Sequence, residues 1–153
     1  MAVYLVMTLG AFLCVLRLRG EDGEPLEAID SLSGLSQSRP ALAAALAMFM
    51  FSLAGIPPLL GFWPKLFVFQ AALAQNLYLL AIAGFLGSVV GAFYYIKIVK
   101  VMYFDAPGRA LAKGGNRLEG LLILLAALLV SPLTYPLVDW LNGQTLNAAG
   151  SLF

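Results

Sequence analysis

The chain has 153 residues, 61% of them hydrophobic and 11% charged, with a formal net charge of +1 and a mean hydropathy of +0.91. Globular chains carry roughly 25% charged residues, so the composition is that of an integral membrane protein. With no histidine and Cys14 as the single cysteine, zinc sites, iron–sulfur ligation, histidine-ligated haem and an internal disulfide framework are excluded or unsupported. The scattered cations form no basic stripe of the kind nucleic acid requires.

Four apolar segments follow one another. The first run, residues 2–16, has no basic leader and no small-x-small cleavage site, which argues against a secretory signal. It predicts a span over about 2–18, slightly short for the ~20 residues a bilayer asks for, and reads as the edge of a protein whose upstream part is missing. Residues 19–39 form an acidic loop with Glu21, Asp22, Glu24, Glu27 and Asp30. Within it Leu26, Ile29, Leu32 and Leu35 recur every third residue, a spacing that fits either a short amphipathic helix on the membrane surface or an acidic loop with incidental leucines.

The second run, 41–74, would reach about 50 Å as one helix against a ~30 Å hydrocarbon core. It must be interrupted. Gly55, Pro57, Pro58, Gly61 and Pro64 predict a break near 55–64. Each proline lacks an amide hydrogen and frees a carbonyl one turn back, those of Leu53, Ala54 and Leu60 if these are helical. Such groups are tolerated at membrane depth only where protein or a water-lined cavity satisfies them, so the break predicts local water. The third and fourth runs predict spans over 77–100 and 118–138, joined by a loop over 101–117. Gly84, Ser88 and Ala92, with Gly87 and Gly91 beside them, form small-residue stripes that permit close helix packing. The expected fold is therefore all-α, a bundle of about four transmembrane helices with the second one discontinuous.

Charge orients the bundle. Arg17, Arg19 and Arg39 flank the first connection and Lys97, Lys100, Arg109, Lys113 and Arg117 the third, while the second connection, Gln75-Asn76, and the tail after Asp139 carry none. The positive-inside rule then puts the first and third connections in the cytoplasm and the C-terminus on the opposite side, the periplasm of a bacterial inner membrane. Asp139-Trp140 reads as an interfacial anchor.

The remaining basic residue is Lys65, inside the second run. Ten residues from Gln75, it lies about 15 Å deep by helical rise, near the bilayer midplane and too far in for its stem to snorkel out. A cation there costs a few kcal/mol or more. It must meet a buried acid, lose its proton, or alternate between the two, and alternation is what a proton relay needs. Lys65 is thus the candidate proton-transfer residue, set against the plainer reading of a static interhelical ion pair or a tilted segment. No acid within the other apolar runs offers a partner, since Glu119 and Asp139 stand at segment ends. Lys97 and Lys100, after Tyr94-Tyr95, are explained by snorkelling and an aromatic belt; a relay or cytoplasmic exit through Tyr94, Lys97 and Lys100 is the weaker reading. Ser52 and Thr8 read as structural hydroxyls.

These residues carry a family signature. Arg39-Pro40-Ala41, Ser52-Leu53-Ala54-Gly55-Ile56-Pro57-Pro58, Gly61-Phe62, Lys65, Phe67-Val68-Phe69, Ser88, Tyr94-Tyr95 and Met102-Tyr103-Phe104, with Met7-Thr8-Leu9-Gly10-Ala11-Phe12 upstream, resemble the antiporter-like membrane subunits of proton-pumping NADH–quinone oxidoreductase, complex I. The match covers most of residues 1–104; beyond Leu118 only length and apolarity agree. The resemblance implies the last four of fourteen helices, with 41–74 as the discontinuous twelfth and Lys65 as the lysine of the distal half-channel. A lysine rather than a glutamate there favours the N or L type over M, and Tyr94-Tyr95 to Phe104 favours N. Pro64 departs from the small residue more usual before that lysine. By the same resemblance this chain holds no cofactor: NADH, FMN, iron–sulfur clusters and quinone belong to other subunits, the partners are the bilayer and the other membrane-arm subunits, and the input half-channel lies upstream of Met1. The alternatives are a subunit of a multisubunit cation/proton antiporter or membrane-bound hydrogenase, and a non-transporting membrane scaffold.

Overall fold

The computed structural model describes residues 2–20, 28–107 and 117–136. Most of the acidic residues of the first connection, together with Arg109, Lys113, Asp139 and Trp140, lie outside the described residues. The elements are helical throughout: α1 (Ala2–Leu16), a 3-10 turn (Ile29–Leu32), α2 (Leu35–Ser38), α3 (Pro40–Ala54), α4 (Phe62–Ala74), α5 (Tyr78–Phe104), α6 (Arg117–Val130) and a second 3-10 turn (Pro132–Thr134). Among the described residues only α5, with 27 residues, is by itself long and apolar enough to cross a membrane. The helices α1, α3, α4 and α6 are apolar but shorter.

The start and stop of α3 follow from its sequence. Pro40 sits in its first turn, where a missing amide hydrogen costs nothing and the fixed φ is already helical. Alanine, leucine and methionine carry it to Ala54, and Gly55 ends it with φ +85°, a left-handed backbone that an L side chain adopts only under strain. The Gly55 amide donates to Ser52 O at 3.0 Å and the Ile56 amide to Phe51 O at 3.0 Å, the paired bonds of a Schellman cap. Pro57 and Pro58 then exclude a return to helix until Phe62. Pro64 has another part: it stands in the first turn of α4, where amides have no intrahelical acceptor, so it helps to start α4 rather than to break α3, and no helical Leu60 carbonyl is freed.

The core forms on one side of this break. Met7, Ala11 and Cys14 of α1, Leu46 and Phe49 of α3, Met102 of α5 and Ile123 and Val130 of α6 are all buried in one cluster. Gly10 lets α1 approach α3 closely, because a methyl group there would fall 2.4 Å from the Phe49 ring. The first connection contributes Leu32 and Leu35, also buried. They do so from a 3-10 turn and a separate short helix divided at Gly34, not from one amphipathic surface helix; the leucine spacing marks burial against α3 and α5. On the other side of the break α4 has no buried residue, and it meets α5 through an edge-on ring contact between Phe69 and Phe85. Of the small-residue stripe on α5, Gly84 lies against Phe69, whereas a methyl at Gly87 would meet nothing within 4 Å among the described residues.

The fourth run departs from the uninterrupted helix expected over 118–138. Helix α6 stops at Val130, because Pro132 cannot donate to Leu128 O. The loss is made good locally: Ser131 Oγ donates to Leu128 O at 2.7 Å and Thr134 Oγ1 to Leu129 O at 2.8 Å. Val130 O accepts the Leu60 amide at 3.3 Å. Two helix interruptions thus lie side by side and share a hydrogen bond.

Gly61 fixes how closely the break segment can lie on α3, since a Cβ there would sit 2.0 Å from Ser52 O. A backbone oxygen in a packed helix cannot step aside as a side chain can. Gly61→Ala is expected to lower stability by about 1–3 kcal/mol, as overpacking does, and by more than Gly10→Ala, whose neighbour is a ring that can move. Thermal denaturation of the full-length subunit in detergent ranks the two.

Candidate functional site

The end of α3 leaves two carbonyls over. The cap takes those of Phe51 and Ser52, and among the described residues the carbonyls of Leu53 and Ala54 have no amide to accept from. Lys65, one turn into α4, folds back over Gly55 and supplies the missing donors. Its Nζ donates to Leu53 O at 2.8 Å, to Ala54 O at 3.0 Å and to Ser88 Oγ on α5 at 3.1 Å. An ammonium has three hydrogens, and all three are placed. The contact is close: a Cβ on Gly55 would lie 2.9 Å from Lys65 Cδ and 3.3 Å from its Nζ. Glycine at 55 is therefore required twice, by its φ and by the lysine stem.

Two of the three carbonyls expected to be freed at the break, those of Leu53 and Ala54, are the ones Lys65 binds, so a protein donor satisfies them and water is not required for that purpose. Among the described residues the partner is not a buried acid, one of the three outcomes weighed from the sequence. It is a set of neutral acceptors at a helix C-terminus, where aligned peptide dipoles present partial negative charge to a cation. Ser88, read from its spacing as a packing residue, is a direct ligand. Ser52, fully buried, holds the break segment to α3: its hydroxyl donates to Met7 Sδ at 2.8 Å and accepts the Gly61 amide at 3.0 Å. Thr8 only donates back to Tyr4 O in its own helix, at 2.8 Å.

Gly55, Pro57, Pro58, Gly61, Pro64 and Lys65 are thus brought together. Tyr94, Lys97 and Lys100 are not. They are exposed on α5, with Lys97 and Lys100 about 13 and 18 Å of helical rise beyond Ser88, and Lys100 pairs with Asp105 at 3.2 Å. The far side of the break is held from α6: Tyr135 OH donates to Pro58 O and accepts Trp63 Nε1 at 3.1 Å, with the two rings edge-on. Trp63 precedes Lys65 by two residues, so this bridge fixes the first turn of α4 on which the lysine rides. No sequence spacing pointed to Tyr135. Among the described residues no group of histidine, cysteine or carboxylate side chains is arranged to hold a metal.

Comparison with known proteins gives these residues a context. The family of transmembrane NADH:quinone oxidoreductase and Mrp antiporter proteins matches residues 1–91. The chain is 60% identical over its full length to the NADH-quinone oxidoreductase subunit N of Rhizorhabdus wittichii, covering 32% of that protein, and 54% identical to the subunit N of Erythrobacter litoralis, covering 31%. It thus spans about a third of the length of these curated relatives. A chain of respiratory complex I from Thermus thermophilus, solved with bound aureothin, superposes with a TM-score of 0.72 at 25% identity, over 84% of this chain and 29% of that one.

The Trp63–Tyr135–Pro58 bridge makes a prediction about stability. Tyr135→Phe is expected to cost about 1 kcal/mol, the usual net value of a hydrogen bond. Because Trp63 donates to the same hydroxyl, adding Trp63→Phe should cost little further hydrogen-bond energy. Denaturation of the two single variants and the double variant measures this coupling.

Proposed function

The chain belongs to the transmembrane NADH:quinone oxidoreductase/Mrp antiporter family, and on that premise we propose that it forms the C-terminal part of a proton-translocating membrane subunit of NADH–quinone oxidoreductase. Lys65 is the residue that takes up and releases the proton. The observation that carries this reading is a half-buried lysine ammonium between two half-helices whose hydrogen-bond partners among the described residues are Leu53 O, Ala54 O and Ser88 Oγ, none of them a carboxylate. A charge so deep in a membrane marks an ion or proton path by default, and an amine held by neutral acceptors is not locked by a counter-ion into one protonation state.

In this reading NADH oxidation and quinone reduction take place in other subunits, where FMN, iron–sulfur clusters and quinone bind. Lys65 responds to them through the geometry of the break and the field around it. The chain is multi-pass in the bacterial inner membrane. Four crossings, formed by α1, by α3 with α4, by α5 and by α6 with its following turn, put the first and third connections in the cytoplasm and the C-terminus in the periplasm. Its partners are the other membrane-arm subunits and the bilayer. The names of the relatives, both NADH-quinone oxidoreductase subunit N, favour this over a cation/proton antiporter or a hydrogenase subunit of the same family. Tyr94, Lys97 and Lys100 line α5 on the way to the cytoplasmic surface, and their part is a water-connected exit, since they do not reach Lys65 directly.

The test is Lys65→Ala in the full-length subunit, with the assembled complex reconstituted in liposomes. NADH oxidation is expected to persist while protons pumped per NADH fall. Unchanged pumping removes the proposed role and leaves the scaffold reading, in which Lys65→Met is also silent.

A further inference from the structure

The three ligands of Lys65 are not equivalent. Leu53 O and Ala54 O are backbone carbonyls and can only accept, whereas Ser88 Oγ is a hydroxyl that accepts or donates according to how its hydrogen is turned. The ammonium needs three acceptors and has them. A neutral amine has two hydrogens and a lone pair, so one of the three ligands must then become a donor. At a carbonyl this is chemically closed.

We propose that Ser88 is the positioning residue that keeps the Lys65 nitrogen bound in both of its protonation states, its hydroxyl accepting from the ammonium and donating to the amine. This rests on the reading of Lys65 as the proton-transfer residue. When the proton leaves Nζ for water, the nitrogen keeps its two hydrogens on Leu53 O and Ala54 O, and the Ser88 hydroxyl turns about its C–O bond to give its own hydrogen to the new lone pair. Ser88 neither gains nor loses a proton overall. The nitrogen stays where the ammonium stood, and the reverse turn accompanies reprotonation. Without the hydroxyl the amine's lone pair has no protein donor in this ligand set, and the ammonium's third hydrogen has no acceptor there. Both states lose a partner, and the relay loses the fixed point between its two half-helices. Gly84, Ala92 and the other small residues on α5 let the backbone come near but offer no side-chain group that could take over.

The experiment compares two side chains of the same shape. Ser88→Thr keeps the hydroxyl and Ser88→Val replaces it by a methyl group, so packing is held nearly constant while the hydrogen bond is not. Both are made in the full-length subunit, with Lys65→Ala as reference, and proton pumping per NADH is measured across pH in liposomes containing equal amounts of assembled complex. Threonine is expected to pump within about twofold of the parent with the same pH optimum. Valine is expected to fall about tenfold, the rate equivalent of one hydrogen bond to a charged group, and to move the pH optimum. Pumping by Ser88→Val equal to that of the parent, or an equal loss in Thr and Val, overturns the proposal, as does a reduced rate with an unmoved optimum, which marks packing alone. If Lys65→Ala itself pumps normally, the lysine reading fails first and takes this inference with it. If Lys65→Ala is inactive while Ser88→Val is not, only the role of Ser88 falls.

Discussion

A helix that stops inside a membrane leaves carbonyls with no solvent to turn to, and the pairing of Lys65 with Leu53 O and Ala54 O answers that constraint. Buried backbone acceptors without donors cost about 1–3 kcal/mol each, and a lone ammonium at the same depth costs more. Each defect is the remedy for the other. The helix dipole adds to the match, because the C-terminus of α3 carries the partial negative charge that a cation complements. Features that look like separate oddities in the sequence, three prolines, two glycines and one charge, are parts of a single arrangement: glycine at 55 for the cap and the lysine stem, Pro57 and Pro58 to keep the chain from re-forming helix, Pro64 in the first turn of α4, glycine at 61 for the approach to Ser52.

The arrangement is held from three sides. Ser52 ties the break segment to α3 and α1 through Gly61 and Met7. Ser88 brings in α5. The interrupted end of α6 supplies Val130 O to Leu60 and the Tyr135 hydroxyl to Pro58 and Trp63. Stability is concentrated on the side of the break where α1, α3, α5 and α6 share a buried core. Helix α4 shares little of it and is located mainly by polar contacts at its first turn and by the α5 rings.

The sequence made the break and the freed carbonyls of Leu53 and Ala54 legible, since both follow from the length of the apolar run and from what proline does to a helix. It did not show that the carbonyls and the lysine are each other's partners. That depends on the chain reversing over Gly55 so that residue 65 returns to residue 54, a three-dimensional fact with no sequence period. A lysine inside an apolar run points by Coulomb attraction to an acid, whereas a helix end as acceptor is marked by no residue type in the sequence. Ser88 was visible only as one small residue among several at four-residue spacing, a pattern that packing explains equally well. The break in α6 was hidden by hydropathy: Ser131-Pro132 sits in a run apolar enough to read as continuous, although Pro132 carried the same signal as Pro57 and Pro58. The leucines at 32 and 35 were legible as a repeat but not as core residues, because Gly34 divides them between two short elements that pack inward.

The nature of the cage bears on what a buried lysine can do. A carboxylate beside an ammonium stabilises one charge state strongly, and once the amine loses its proton the carboxylate itself becomes an unpaired buried charge. Carbonyls and a hydroxyl have no such penalty, because they stay neutral whichever state the amine is in. The electrostatic contribution of a helix terminus, typically 0.3–1 kcal/mol and at most about 2, is smaller than the ~2.3 kcal/mol involved in moving one charge through 100 mV. In the proposed relay a contribution of that size is one that a membrane potential can offset. A membrane subunit that must load and unload the same site in every cycle is better served by weak, state-tolerant ligands than by an ion pair, and the interrupted helix is what brings such ligands to bilayer depth.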